Sequence, residues 1–417
     1  MSAKDVRTQR GEGPLPCIAL LENPVQQYAW GDTHGILPFI EAEAKPGHPI
    51  AEVWMGSHRL APSKLRLDDG SSPLDELICK APEHWLGTGV ASRFRGLPFL
   101  FKVLAAGSPL SLQLHPTQRE AIEGFAKEER AGIPLSAPER TFKDANHKPE
   151  LAVALTPFCA MAGFRSAPEI ADLLGPELCS AFSLDGGGPQ ELRNFVRRIF
   201  SIRGDAYHNL EAKLAARATA LLRSNSPQAR EAGSMVLELQ ALYPQDPGQF
   251  GPLMLNVLNL EPGEGLFVPA GVMHAYVRGS ILEVMACSDN VIRAGLTIKH
   301  VDVNLLCDIL NPDALPALIR PKRERHPWGS RSVYATPVVE FRLERLYVGP
   351  AGAVIPYTPA GPEILLCTAG SFRIRAGGDG GGLALPARSS CFVAGSCQEV
   401  KVEGAGTLWR ATPGNQA

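Results

Sequence analysis

Four side chains in this sequence have the chemistry to hold a divalent metal: Gln113, His115, Glu150 and His274. Together they bring two imidazole nitrogens and two oxygens, a donor set suited to a first-row divalent ion, zinc above all. Two of them stand in Ser111-Leu112-Gln113-Leu114-His115. Strand side chains alternate, so Ser111, Gln113 and His115 share one face while the leucines take the other. A hydroxyl, an amide and an imidazole on one face are costly in a dry core. Backed by leucines, they suit the wall of a cavity. Asn146-His147-Lys148-Pro149-Glu150 supplies the carboxylate. Phe267-Val268-Pro269-Ala270-Gly271-Val272-Met273-His274 presents the second imidazole at a strand–turn–strand junction. A lone His on an apolar strand is more often a hydrogen-bonded core residue than a ligand; it is the combination that favours a metal.

A second group is cationic. Lys148 lies two residues before Glu150, and Arg293 and Lys299 follow in Asp289-Asn290-Val291-Ile292-Arg293-Ala294-Gly295-Leu296-Thr297-Ile298-Lys299. Lys and Arg donors are the expected partners of a phosphorylated metabolite, and Ser111 adds a hydroxyl on the ligand face. Surface salt bridging is the ordinary alternative for such residues, but Arg293 sits among apolar neighbours. Glu283, in Ile281-Leu282-Glu283-Val284-Met285, is a carboxylate among aliphatic residues. Its pKa should be raised, as a general base working near neutrality requires. The plain alternative is a buried partner for a structural Arg.

The elements that must position these residues are mostly short strands. Phe99 to Leu114 reads as strand, and Lys148 to Leu155 starts another with Glu150 at its head. Thr117-Gln118-Arg119-Glu120 is a capping box that starts a helix through about Arg130. Ser166-Ala167-Pro168-Glu169 is a second one, and there the texture changes. Leu192, Phe195, Val196, Ile199 and Phe200 follow helical spacing, and residues 166–250 read as an all-helical insertion between β regions. Leu74 to Leu86 and Asp302 to Pro312 are further helices. Trp30 and Trp54 are expected in the core. Met1 to Pro16 reads as a loose arm, Lys45 to Pro49 as a loop, Gly186 to Gly188 as a turn and Gly377 to Gly382 as a hairpin tip. From about Pro321 the pattern is purely β, with strands at Glu340 to Val348, Glu363 to Thr368, Ser371 to Ala376 and Ser390 to Ala394. Short strands without regular βαβ alternation favour barrels or sandwiches.

The chain has 417 residues, 45% hydrophobic and 20% charged, enough for several domains with ordinary soluble composition. A formal net charge of -2 argues against a nucleic-acid or membrane-surface partner. No apolar run approaches the roughly 20 residues of a membrane span, and the start lacks a signal-peptide core. Nine cysteines without a CxxC pair fit reduced thiols in the cytoplasm.

Gly263-x5-Pro269-x-Gly271-x2-His274 is similar to the second cupin motif, with Arg278 where the usual Asn would stand. Gln113-x-His115 stands where the first motif has His-x-His, and Glu150 follows after a helical insertion. Gln-Leu-His-Pro, Asn-His-Lys-Pro-Glu, Pro-Ala-Gly-x-x-His-Ala-Tyr and Ser-Asp-Asn-Val-x-Arg-Ala-Gly-Leu-Thr-x-Lys resemble the type I phosphomannose isomerase family, as do Tyr28-Ala29-Trp30-Gly31 and Ala51-Glu52-Val53-Trp54-Met55-Gly56. The resemblance spans about Asn23 to Val303. It implies a zinc enzyme, one ion per chain, that interconverts mannose 6-phosphate and fructose 6-phosphate. The ligand pattern falls on Gln113, His115, Glu150 and His274, and the active-site arginine on Arg293. Acid/base and phosphate roles fall on Glu283, Lys148, Lys299 and Ser111. Glu283 is the expected base, with His274 or a metal-bound water as alternatives.

The expected fold is mainly β with a helical insertion (α+β). It comprises a catalytic cupin (jelly-roll) barrel made of residues 1–165 and 251–320, a helical domain at 166–250 and a degenerate cupin-like β domain at 321–417. The expected protein is a cytoplasmic monomer with a sugar-phosphate substrate, serving carbohydrate metabolism or the supply of GDP-mannose. Two other readings stay open: an iron cupin dioxygenase, and a non-catalytic cupin that binds sugar phosphate.

Overall fold

The computed structural model describes residues 15–41, 48–68, 70–182, 188–377 and 382–414. The expected N-terminal arm, the 45–49 loop, the 186–188 turn and the 377–382 tip fall wholly or partly outside them.

The Phe99–Ala106 strand is buried along its whole length, which is why its sequence is a continuous apolar run rather than an alternation. It pairs antiparallel with Glu52–Met55 on one side and with the long His274–Ala286 strand on the other. That long strand serves two ladders. Over residues 279–286 its neighbours are Phe99–Ala106 and Glu150–Ala154. Over residues 274–278 they are Phe158–Phe164 and, at His274, Leu112–Leu114. The register shifts between Tyr276 and Arg278, and Gly279 has φ +105°. A Cβ there would lie 2.4 Å from the Pro157 carbonyl oxygen, so the bend requires glycine.

The result is a branched, eleven-stranded antiparallel sheet whose pairings do not close on themselves among the described residues. The closed catalytic barrel of the expectation is therefore not formed, because Val25–Gln26 and Ala317–Ile319 end the main path as separate edges. The architecture is mixed α/β with large antiparallel sheets.

A second sheet has ten strands and is built mainly from the C-terminal region. The two strands expected at 363–368 and 371–376 are one, Glu363–Ala376, with a register shift between Cys367 and Ala369. This sheet also takes in Ile18–Glu22, which pairs with Ser390–Val393 on one edge and Lys64–Leu67 on the other. Ala19, Leu21, Val53, Phe101 and Leu282 share one core with Phe341, Ile364, Phe392 and Trp409. The two sheets are thus one packed body, and the C-terminal sheet is not confined to residues 321–417.

Both capping boxes form. Thr117 and Glu120 cap the Gln118–Arg130 helix reciprocally, and Ser166 and Glu169 do the same before Ala167–Phe182. The expected 74–86 helix is two, Leu74–Lys80 and Pro82–Phe94, with Pro82 opening the second. Asp302 caps a shorter helix than expected, Val303–Ile309. Helices Ala167–Phe182, Pro189–Ser201, Gly204–Leu221 and Pro227–Leu242 pack around Phe182, Phe195, Phe200 and Leu239. Leu112, Leu114, Met273, Ala275 and Ile292 belong to the same core. The helical segment is therefore the backing of the ligand-bearing strands. Each leucine buried there stabilises by about 1.5–3 kcal/mol, enough to hold a strand whose other face is polar. Among the described residues no helix is long and apolar enough to cross a membrane.

Candidate metal centre

Strand register draws the separated segments together. Gln113 lies opposite His274 on one side and opposite Arg293, in the Ile292–Gly295 strand, on the other. Glu150 lies between Met285 and Val268. The turn before His274 is tied to the His115 strand by the Gly271 N–H, which donates to the His115 carbonyl at 2.8 Å. Gly271 has φ +77°, a conformation that glycine adopts without strain.

His115, Glu150 and His274 are each 1% exposed. Their ligand atoms all lie within 4.8 Å of one another. The His115 Nδ1–H donates to the Asn290 carbonyl at 2.7 Å and the His274 Nδ1–H to the Val272 carbonyl at 2.9 Å. Each bond fixes a tautomer and leaves Nε2 as a bare lone pair. Both Nε2 atoms are buried without a hydrogen bond. They stand 3.1 and 3.4 Å from the two Glu150 oxygens. Burial, helped by the Lys148 charge, pushes His115 down to about 4, so at neutral pH this contact is not an ion pair. Burial also works against an ionised Glu150. The Lys148 ammonium, 2.9 Å away, and the contacts from His115 and His274 together outweigh it and hold the carboxyl well below its usual range. Two imidazoles that turn Nε2 inward and a carboxylate converge here, the arrangement in which such ligands take a metal. Tyr276 O–H donates to Glu150 at 3.2 Å, and Ser111 O–H to the Gln113 amide oxygen at 3.1 Å. The donor set fits zinc.

Beside this cluster opens a cavity of about 580 Å³. Ser111, Gln113, Lys148, Arg293 and Lys299 line it, so the structure brings the whole predicted cationic group to one cavity. Neither Arg293 nor Lys299 has a carboxylate partner among the described residues. Burial lowers both from their ordinary values, and Arg293 adds to the effect on Lys299. Trp30 and Trp54, expected in the core, face the cavity as well.

The catalytic-domain model of type I phosphomannose isomerase matches residues 18–167. The mannose-6-phosphate isomerases of Shigella flexneri and of Escherichia coli (strain K12) are each 38% identical over 399 residues, 94% of this chain and 98% of theirs. The chain belongs to the type I phosphomannose isomerase family. Among solved structures, the mannose 6-phosphate isomerase from Salmonella typhimurium bound to its substrate (f6p) and a zinc atom aligns with a TM-score of 0.85 at 34% identity. The alignment covers 96% of this chain and 100% of that one.

In this phosphomannose isomerase fold Glu283 stands behind the cavity wall, 3% exposed. Its partner is Lys102, not an arginine. Lys102 Nζ is 3.0 Å from Glu283 and 3.5 Å from Glu52. Burial raises the Glu283 carboxyl; Lys102 opposes the rise without cancelling it, and Glu150 adds to it. Burial would lower Lys102, but Glu283 and Glu52 more than offset this and keep it protonated. Sequence reasoning missed Lys102, Glu52 and the buried His58, which contacts Asp289 at 3.1 Å; all four line the cavity. Lys102 had a signal: it is the one charge in Phe-Leu-Phe-Lys-Val-Leu-Ala-Ala.

Proposed function

We propose that this chain is a zinc-dependent aldose–ketose isomerase that interconverts D-mannose 6-phosphate and D-fructose 6-phosphate. The observation that carries the reading is the pair of buried Nε2 atoms, without hydrogen bonds, converging on Glu150 beside a cavity where Arg293 and Lys299 have no carboxylate partner among the described residues. A hexose phosphate calls for both features, a basic wall for the phosphate and a polar end for its oxygens. Gln113, His115, Glu150 and His274 would hold the zinc ion, which when bound supplies Lewis-acid polarisation and a template for neighbouring oxygens.

The isomerisation moves one carbon-bound proton and one hydroxyl proton. A base takes the first from C2 of the open-chain aldose as the C1 carbonyl oxygen gains a proton; the resulting enediol is reprotonated at C1 while the O2 proton leaves, giving the ketose. Glu283, with its raised carboxyl, is assigned as the base. Arg293 stabilises the developing negative charge or holds the phosphate. Ser111, Lys148 and Lys299 bind the phosphate end.

The chain division belongs to the same reading: catalytic residues 1–165 and 251–320, a helical insertion at 166–250, and a degenerate cupin-like region at 321–417. Support for the insertion comes from Phe158–Phe164, before it, pairing directly with Leu255–Leu260, after it. A cytoplasmic setting suits nine free cysteines.

The test is turnover of mannose 6-phosphate before and after chelation, with zinc added back. Activity should disappear on chelation and return with zinc. Folded, zinc-loaded protein without turnover overturns the isomerase reading and leaves a sugar-phosphate-binding protein.

A further inference from the structure

Lys148 and Glu150 reach the site from residues 131–149, which join the Gln118–Arg130 helix to the Glu150–Ala154 strand without regular structure of their own. The placement of such a segment depends on its anchors. Upstream, the Asp144 carboxylate accepts from Ser288 Oγ and from the Asp289 N–H, each at 2.8 Å. The Asn290 amide donates to the Asp144 and Asn146 carbonyls, also at 2.8 Å. Downstream, the Pro149 carbonyl accepts from the Ala286 N–H at 3.2 Å. His147 lies between these anchors and turns elsewhere. Lys148 precedes a proline and is confined to extended backbone, so His147 projects away from the face of Lys148 and Glu150. It meets Glu340, donating from Nε2–H to Oε1 at 2.9 Å.

Glu340 belongs to the other sheet. It sits in the connection between strands Gly329–Tyr334 and Arg342–Tyr357. Its neighbour Phe341 is fully buried in the core that both sheets share. The Val339 carbonyl is held by the Gly414 N–H at 3.1 Å. The carboxylate is thus presented from a fixed backbone.

We infer that Glu340 is a positioning residue: through His147 it keeps Lys148 at the cavity wall, so that the C-terminal region shapes a substrate site it does not line. The kinetic side of this inference rests on the isomerase reading; the structural side does not.

Glu340→Leu removes the acceptor at similar volume, while Glu340→Gln keeps an oxygen for the His147 N–H. In metal-free protein without substrate, amides at 144–148 should exchange faster in the Leu variant than in wild type, with the Gln variant close to wild type. With zinc restored, KM for mannose 6-phosphate should rise about 10-fold or more in the Leu variant and stay near wild type in the Gln variant. Wild-type exchange over 144–148 in the Leu variant overturns the inference. So does faster exchange or a lower Tm with an unchanged KM, which would make the contact merely structural. If wild-type protein turns over no mannose 6-phosphate, the isomerase reading falls, and the exchange measurement still judges Glu340.

Discussion

At the scale of single residues, the informative pair is Glu283 and Lys102, buried face to face on neighbouring strands. Each sets the other's charge, and the carboxylate keeps its raised pKa because burial outweighs one ammonium. Glu283→Gln preserves shape and leaves the metal cluster untouched. Turnover should fall by about 10²–10⁴-fold, the usual worth of a general base, with zinc content unchanged. Near-normal turnover in that variant removes Glu283 from the base role. Much of this site was legible in the sequence, because Gln113, His115, Glu150 and His274 stand in recognisable local patterns. Glu283 was visible as a charge inside an aliphatic run. Lys102 carries the same signal, but its meaning lies in a cross-strand partner, and register across distant segments is not written in either one. Trp54 is buried as expected, but its second role was not readable: an aromatic on an apolar strand looks the same whether its far face meets protein or a cavity.

At the scale of elements, the His274–Ala286 strand joins His274 in the metal cluster to the buried Glu283. Its bend at Gly279 lets the first half meet Phe158–Phe164 while the second meets Phe99–Ala106. Gly279→Ala should destabilise the fold by about 1–3 kcal/mol, the cost of a side chain in such a backbone conformation. The denaturant midpoint should fall, and zinc should be held less tightly because His274 shifts relative to Glu150. A variant with wild-type midpoint and zinc affinity would mean that the bend tolerates a Cβ. The helices and their capping boxes were readable because a cap is settled within four residues. The missing barrel closure was not, since it depends on whether the last strands of a sheet find each other.

At the scale of the whole molecule, the two sheets cannot be separated. A fragment ending at residue 320 would strip Ile364, Phe392 and Trp409 from the core that holds Ala19, Leu21 and Phe101. It should fail to give folded, zinc-binding protein by circular dichroism and metal analysis; a cooperatively folded fragment would show that the catalytic region stands alone. The sequence division near 320 follows a real change of pattern, yet nothing local marks Ile18–Glu22 as a strand of the far sheet. That pairing has a consequence for how the protein is made. Ile18–Glu22 leaves the ribosome long before its partner Ser390–Val393 has been made. Contacts of such long sequence separation form slowly, and apolar strands that wait for partners are prone to aggregate. The shared core stays open until Ser390–Val393 and Trp409 have been made, so the nascent chain should depend on chaperones until those segments emerge.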